Sequence, residues 1–291
     1  MRRMNLLGPT VCLMIASICL PHRVMGQATQ PTTHVAHAGL QKLKWQLACR
    51  GATFRGISTF EMIDLLHSLN IHHIELSPGQ VLSPDHSDVK IGDEMTADQI
   101  ALLKTKLKSV GMDVVSFGVV GVPSSQADAQ KIFELGKGLK VKNIVMADPP
   151  EDSLPMLDAL AGQFGINVAI VTMSAPDAIA SKLQGRSAHF GVCAEPAEWR
   201  RGGIDPVAAL QSLGNRVIEI HLQDFDAQAK ETPLGSGTAN LTPFLEQCKN
   251  QNFHGIFCVS YESGSAAEIS GNFVTSVNWF SDRVNELAGI H

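Results

Sequence analysis

The sequence predicts one α/β domain folded as a closed (β/α)8 TIM barrel. Three observations lead there. From Leu43 to the C-terminus, strand-like apolar runs alternate with helical patterns, and strict alternation specifies a parallel sheet. There are eight such units, and at about 30 residues each they match the ~250 residues a closed barrel takes. The first strand-to-helix turn, Cys49-Arg50-Gly51-Ala52-Thr53, lacks the glycine spacing of a dinucleotide-binding loop, which argues against an open, doubly wound sheet.

The strands are expected at 44–49, 72–76, 113–119, 143–147, 167–171, 188–194, 216–222 and 256–261. Each is a short run of apolar residues, several bounded by turn signals such as Pro149-Pro150 and Gly202-Gly203. Helices are expected at 59–69, 96–110, 125–139, 153–164, 177–183, 206–213 and 241–250, with a last one near 270–287.

The N-terminus reads differently. Arg2 and Arg3 precede an apolar run over 6–20, and Val24-Met25-Gly26 offers a cleavage site. Residues 1–26 are therefore expected to be a secretory signal peptide, with the mature protein periplasmic or extracellular. The run falls short of the ~20 residues of a membrane span, so no stable insertion is expected after cleavage. Residues 27–42, polar and turn-rich, are expected to be a flexible linker, and 43–291 the barrel. Two of the six cysteines leave with the signal; Cys49, Cys193, Cys248 and Cys258 form no CxxC pair and are expected to be buried thiols.

Composition excludes some functions. Hydrophobic residues make up 44% of the 291-residue chain, enough for a core without staples. A net charge of −5 argues against a phosphate-backbone binder, and 5% aromatic residues against a base-stacking platform. A metal-dependent endonuclease would need a richer His/carboxylate set and a basic surface.

In such barrels the reacting groups stand at the C-terminal ends of the strands. Those ends carry Glu75, Asp148, Glu195, Glu198, His221, Asp224 and Glu262. Side-chain alternation adds direction. In VIEIHLQD, Ile218, Ile220 and Leu222 are expected to pack on helices, while Val217, Glu219, His221 and Gln223 point inward. Glu219 then lies one layer below His221 and needs a hydrogen-bond partner or a raised pKa. Glu75 likewise points inward, and Cys258, Ser260 and Glu262 share a face. His72 and His73 open a strand and belong to the opposite, stability face. The Gly235-Ser236-Gly237 turn either cradles a phosphate or is an ordinary loop.

Several segments together resemble a known family. HIELSPGQ, GIDPVAALQSLGNRVIEIHLQD, PLGSGTANLTPFLEQCKNQNFHGIFCVSYE and the opening LKWQLACR are similar to the sugar phosphate isomerase/epimerase group of the xylose-isomerase-like TIM barrels. The resemblance runs from Leu43 to Glu286 and is most specific in the C-terminal half. It implies a divalent metal held by carboxylates and a histidine from strands four, six, seven and eight, which polarises a sugar carbonyl on the way to an enediolate. Carried over by position, the ligands are Asp148, Glu195, His221 and Ser260. Asp148, Glu195, Glu198 and Glu262 stand where acid–base groups are expected. Trp45, Glu75, Trp199 and Gln223 are expected to line a mouth for a sugar or polyol.

This sequence departs from the family pattern at several of these places. Strand four offers Asp148 for Glu, and strand six reads Glu195-Pro196-Ala197-Glu198-Trp199 for Asp-Thr-Gly-His-Trp. Strand seven keeps His221 but has Gln223 for Lys. Strand five reads Val171-Thr172-Met173 for His-Asn-His, and strand eight has Ser260 for Glu. The expected metal (manganese, magnesium or zinc) is therefore weakly held or absent, since a neutral serine replaces a carboxylate. Two functions follow: a divergent isomerase or epimerase working through a metal-stabilised enediolate, or a catalytically degenerate exported barrel that binds a sugar or a protein partner.

Overall fold

The computed structural model describes residues 32–290. The expected signal peptide and the start of the linker lie outside them. Eight parallel strands close into a barrel: β1 Gln46–Arg50, β2 His73–Leu76, β3 Asp113–Val120, β4 Asn143–Ala147, β5 Asn167–Val171, β6 Phe190–Ala194, β7 Val217–Leu222 and β8 Ile256–Val259. Each pairs with the next, and β8 returns to β1 with Gln46 opposite Ile256. No helix among the described residues is long and apolar enough to cross a membrane.

Helices surround the barrel: α1 His37–Leu43, α2 Thr59–Ser68, α3 Ala97–Ser109, α4 Gln126–Leu139, α5 Leu154–Phe164, α6 Pro176–Leu183, α7 Pro196–Arg201, α8 Pro206–Leu213, α9 Leu241–Asn250 and α10 Ala266–Ala288. Their starts follow local chemistry. Ser58 with Glu61, Thr96 with Gln99 and Ser265 with Glu268 form reciprocal capping boxes, which satisfy the free N–H groups of a first turn. Residues 37–42, expected as linker, are instead helical: α1 packs on α10, with Gly39 against Val284 and Asn285. A polar composition did not prevent this, because Leu40 finds an apolar surface to bury on.

Outward-facing strand residues such as Ile74, Leu76, Ile220, Leu222, Phe257 and Val259 join the main core under the helices. The barrel interior is divided. Ala48, Val115, Ile256 and Cys258 make one small apolar cluster, and Val145, Ala169 and Cys193 another. Between them stand Glu75, Ser116, Asn143, Glu219 and His221, all buried. One expected direction is reversed. The register shifts between Val192 and Cys193, so that Val192 pairs with Val217 and Cys193 with Glu219. The extra residue, Ile218, turns onto the Val145–Ala169–Cys193 cluster, and Val217 joins the outer core. A bulge inserts one residue and so inverts the alternation before it, leaving Glu219 and His221 as expected.

Two hairpins extend the C-terminal face, Val81–Ser83 with His86–Lys90 after β2 and Asp224–Phe225 with Glu231–Thr232 after β7. The second supports the loop 233–239. Buried Asp224 accepts hydrogen bonds from the N–H groups of Gly235, Gly237 and Ala239, each at 3.0 Å. The Gly235-Ser236-Gly237 turn is thus not a phosphate cradle, because its glycine N–H groups are spent on Asp224. Here glycine is required twice: Gly235 has φ +79°, and a Cβ on Gly237 would sit 2.2 Å from Asp224 Oδ1.

Candidate functional site

The site centres on His221, near the end of β7. Its Nε2 is 3.1 Å from Glu75 Oε2 and its Nδ1 3.1 Å from Glu195 Oε1. Glu75 comes from β2, and Glu195 directly follows β6. Glu219 lies beneath. It accepts hydrogen bonds from Ser116 Oγ at 2.7 Å, Asn143 Nδ2 at 2.8 Å and Cys258 Sγ at 3.0 Å. Ser116 Oγ is also 3.4 Å from Glu75 Oε2, which joins the two layers.

Burial sets the electrostatics. It pushes the Glu219 carboxyl up, and the charge of Glu75 adds to the rise. For His221, burial by itself disfavours the imidazolium, but its interactions with the Cys193 side chain and with Glu75 outweigh it and the pKa stands well above its ordinary value. Glu195 shows the converse balance: burial opposes ionisation, while the hydrogen bond and charge of His221 and the charge of Arg50 bring its pKa below the ordinary value. The raised His221 pKa and the lowered Glu195 pKa both favour an imidazolium paired with a carboxylate, the arrangement that offsets burial of charge.

Arg50 connects this centre to the rim. Its Nε is 3.6 Å from Glu75 Oε1, and its Nη1 is 3.0 Å from Glu262 Oε1. Arg55 Nη2 reaches the other Glu262 oxygen at 2.8 Å. Glu262 therefore bends over the rim, as its position allows, but it meets two guanidinium groups rather than the histidine.

Several expected site residues lie elsewhere. Asp148 is held by Lys182 and by Thr172 Oγ1 at 2.7 Å, one strand end away from the centre. Glu198 pairs with Arg201 at 2.6 Å along α7. Ser260 is buried with its Oγ unpartnered, and it brings no charge. Trp45 precedes β1 at the opposite end of the barrel, with Nε1 donating to Phe253 O at 2.7 Å and its ring 4.6 Å from Phe257. Trp199, on the buried side of α7 and 1% exposed, donates to Thr172 O, so both tryptophans are packing residues. Gln223 donates to Glu231 Oε1 at 2.9 Å, and Glu231 Oε2 accepts from the Glu262 N–H at 2.8 Å. That pair braces the loops after β7 and β8. His73, as expected, is at the stability face, with Nδ1 3.3 Å from Leu47 O.

Of the four metal positions carried over from the resemblance, Glu195 and His221 come together, while Asp148 is held by Lys182 and Ser260 brings no charge. Another donor set converges fully. Atoms of Glu75, Glu219, His221 and Cys258 all lie within 4.8 Å of one another, and all four residues are buried. Two carboxylates, an imidazole and a thiol are ligands that can hold a metal ion, and the sulfur with the imidazole favours a borderline ion over a hard one. Sequence reasoning does not single out Cys258, Ser116, Asn143 or Arg50 as site residues. Alternation nevertheless carries a signal for two of them: Cys258 falls on the inward face, and Arg50 stands two residues after inward-facing Ala48.

No family model matches the sequence, and no curated protein matches it. Solved structures do. An uncharacterised protein from Parabacteroides distasonis superposes with a TM-score of 0.67 at 24% identity, covering 80% of this chain and 98% of that one. A xylose isomerase domain protein from Planctomyces limnophilus gives 0.65 at 14% identity over 84% and 99%. A xylose isomerase-like TIM barrel protein from Mycobacterium smegmatis in complex with magnesium gives 0.65 at 13% identity over 88% and 99%. The described residues form one closed (β/α)8 barrel of the xylose-isomerase-like fold.

Proposed function

We propose that this protein is an isomerase or epimerase of small polyhydroxylated carbonyl compounds, working by proton transfer next to the carbonyl. The observation that carries this is His221 held between Glu75 and Glu195, each at 3.1 Å. His221 and Glu75 are almost fully buried, whereas the Glu195 side chain is 14% exposed. Glu195 is therefore the group that meets substrate. Kept ionised by His221 and Arg50, it takes the proton from the hydroxylated carbon beside the carbonyl and returns it to the former carbonyl carbon, while the hydroxyl proton passes to the other oxygen; inversion at one carbon would need a second proton donor on its opposite face. His221 and Glu75 position it and hold its charge. Shared fold with xylose isomerase domain proteins supports the reaction class by analogy.

Zinc held by Glu75, Glu219, His221 and Cys258 would add Lewis-acid charge beneath this centre. The proton transfer assigned to Glu195 does not depend on it. Export is part of the proposal, supported by the basic and apolar pattern of residues 1–26; N-terminal sequencing of the secreted protein should begin near Gln27.

The decisive test is proton exchange in D2O. A panel of aldoses, ketoses and their acids is incubated with the protein, and deuterium beside the carbonyl is followed by NMR. Exchange is expected, and Glu195→Gln should abolish it. A second reading, a barrel that binds without turnover, is favoured by neutral Ser260 and by the capture of Asp148 by Lys182. It predicts stabilisation by a sugar or a protein partner with no deuterium incorporated.

A further inference from the structure

We infer that the substrate carries an anionic group, a phosphate or a carboxylate, bound in a basic cleft beside the catalytic centre. The inference rests on the reading of Glu195 and His221 as that centre. A cleft of about 500 Å³ opens on the C-terminal face between β1, β2, β3 and the hairpin after β2. Arg50, Arg55, Lys90, Ser77 and Gln80 line it, with the backbone of Gly118 opposite. Its charged groups are all cationic. Two carboxylates contact its arginines: Glu262, which both arginines hold, and Glu75, already shared with His221.

Donor capacity exceeds what the protein uses. A guanidinium has five N–H donors. Arg50 makes one hydrogen bond, to Glu262, and its buried Nε has no partner within hydrogen-bond distance. Arg55 uses two groups, on Ala52 O and Glu262. Lys90 Nζ makes no hydrogen bond or ion pair among the described residues, and buried Ser77 Oγ is also unpartnered. Gln80 plays a structural part, because its amide donates to Phe54 O and Ile57 O at 3.0 Å and fixes the loop that carries Arg55. Buried donors without acceptors are costly, and an oxyanion supplies several acceptors at once.

Glu262 occupies the clasp as an internal carboxylate. Its two oxygens meet one guanidinium each, at 3.0 and 2.8 Å, which is how a substrate oxyanion would bind there. Arg50 also touches Glu75, and Glu75 touches His221. A substrate anchored on the arginines is thus one side chain from the reacting centre. Anchoring a remote anion is an effective use of binding energy, since it orients the carbon that reacts.

The test is calorimetry on the full barrel with three probes: inorganic phosphate, D-glycerate and glycerol. Phosphate or glycerate should bind, and glycerol should not; the tighter of the two anions tells which group the substrate carries. Arg55→Ala with Lys90→Ala should weaken that binding at least tenfold. Glu262→Gln should tighten it several-fold by removing the internal competitor, an outcome that general loss of folding cannot produce. Absence of anion binding by the folded protein, or equal binding by the double variant, overturns the inference. Turnover of neutral sugars without anion binding rejects the anionic subsite and keeps the proposed reaction. Anion binding that responds to the variants, with no deuterium exchange on any substrate, rejects the reaction and keeps the subsite.

Discussion

His221 Nε2 and Glu75 Oε2 lie 3.1 Å apart, with side chains 1% and 0% exposed. This pair and Glu219 below it, with Ser116 and Asn143, form a polar compartment between the two apolar clusters of the barrel interior. Removing one member leaves the others uncompensated, and breaking a buried pair costs about 3–5 kcal/mol. His221→Ala is therefore expected to lower the unfolding free energy by about that amount. Urea unfolding at pH 7 measures it; a loss under about 1 kcal/mol would mean the carboxylates are neutral without the histidine.

The stability of the metal-free protein is expected to fall as pH rises above neutrality. His221 has a raised pKa, so its contribution is full below the unfolded value of about 6.5 and is lost as pH climbs through the folded one. Glu219 is also raised; its unfolded form ionises from about pH 4.5 upward, and the folded state loses stability over the interval to its own pKa. The exposed capping carboxylates Glu61 and Glu268 are lowered, so theirs is lost only as pH falls below about 4. Denaturation midpoints at pH 5.5, 7 and 9 should decrease in that order. An increase toward pH 9 would contradict the assignment of His221.

All four cysteines of the described chain are free and buried. Burial pushes the Cys193 thiol up to about 12, and Cys49, Cys248 and Cys258 rise too. The thiolate is the reactive form, so iodoacetamide at pH 8 should label none of them until the protein unfolds. Labelling by mass spectrometry in rising urea should track the loss of helical signal. Fast labelling of Cys193 in native protein would show an opening of the mouth.

Asp224 holds three N–H groups of the loop 233–239 and that of Phe225. Replacing one of its oxygens by an amide turns an acceptor into a donor, and each buried donor left unmet costs ~1–3 kcal/mol. Asp224→Asn should therefore destabilise by at least ~2 kcal/mol and expose the loop to limited proteolysis. Resistance equal to that of the natural protein would mean that the loop is held by other contacts.

The barrel is legible in the sequence because its signals are local and repeated. Strand alternation puts Glu75, His221 and Glu219 inside, and the structure finds each there, with Glu219 supplied with partners and its pKa raised. Alternation fails at Ile218, where a bulge adds a residue that no sequence pattern announces. Site membership is harder to read. Asp148 sits at the right strand end, but whether it turns to the centre depends on Lys182, which is 34 residues further along. Cys258 is legible in direction and not in role, since a buried thiol is apolar unless carboxylates and an imidazole converge on it. Trp45 lies away from the mouth because it stands where its strand begins, a strand length from the rim.

The last prediction separates two metal centres. If the carried-over positions were the site, Ser260→Glu would restore its fourth ligand and tighten manganese. The structure argues otherwise, because Asp148 is neutralised by Lys182 and does not join the group formed by Glu75, Glu219, His221 and Cys258. That group contains a thiol and an imidazole, which suit zinc, whereas manganese prefers oxygen. Metal binding must release the Cys258 thiol proton and the proton that His221 holds, so affinity should rise with pH. Zinc is expected to raise the melting temperature of the metal-stripped protein, and manganese to leave it nearly unchanged. Cys258→Ala should remove the zinc effect, while Ser260→Ala should keep it. Ser260→Glu alone should not create manganese binding; combining it with Lys182→Met, which frees Asp148, is the smallest change expected to do so. Stabilisation of the natural protein by manganese, undiminished in Cys258→Ala, would return the metal to the rim.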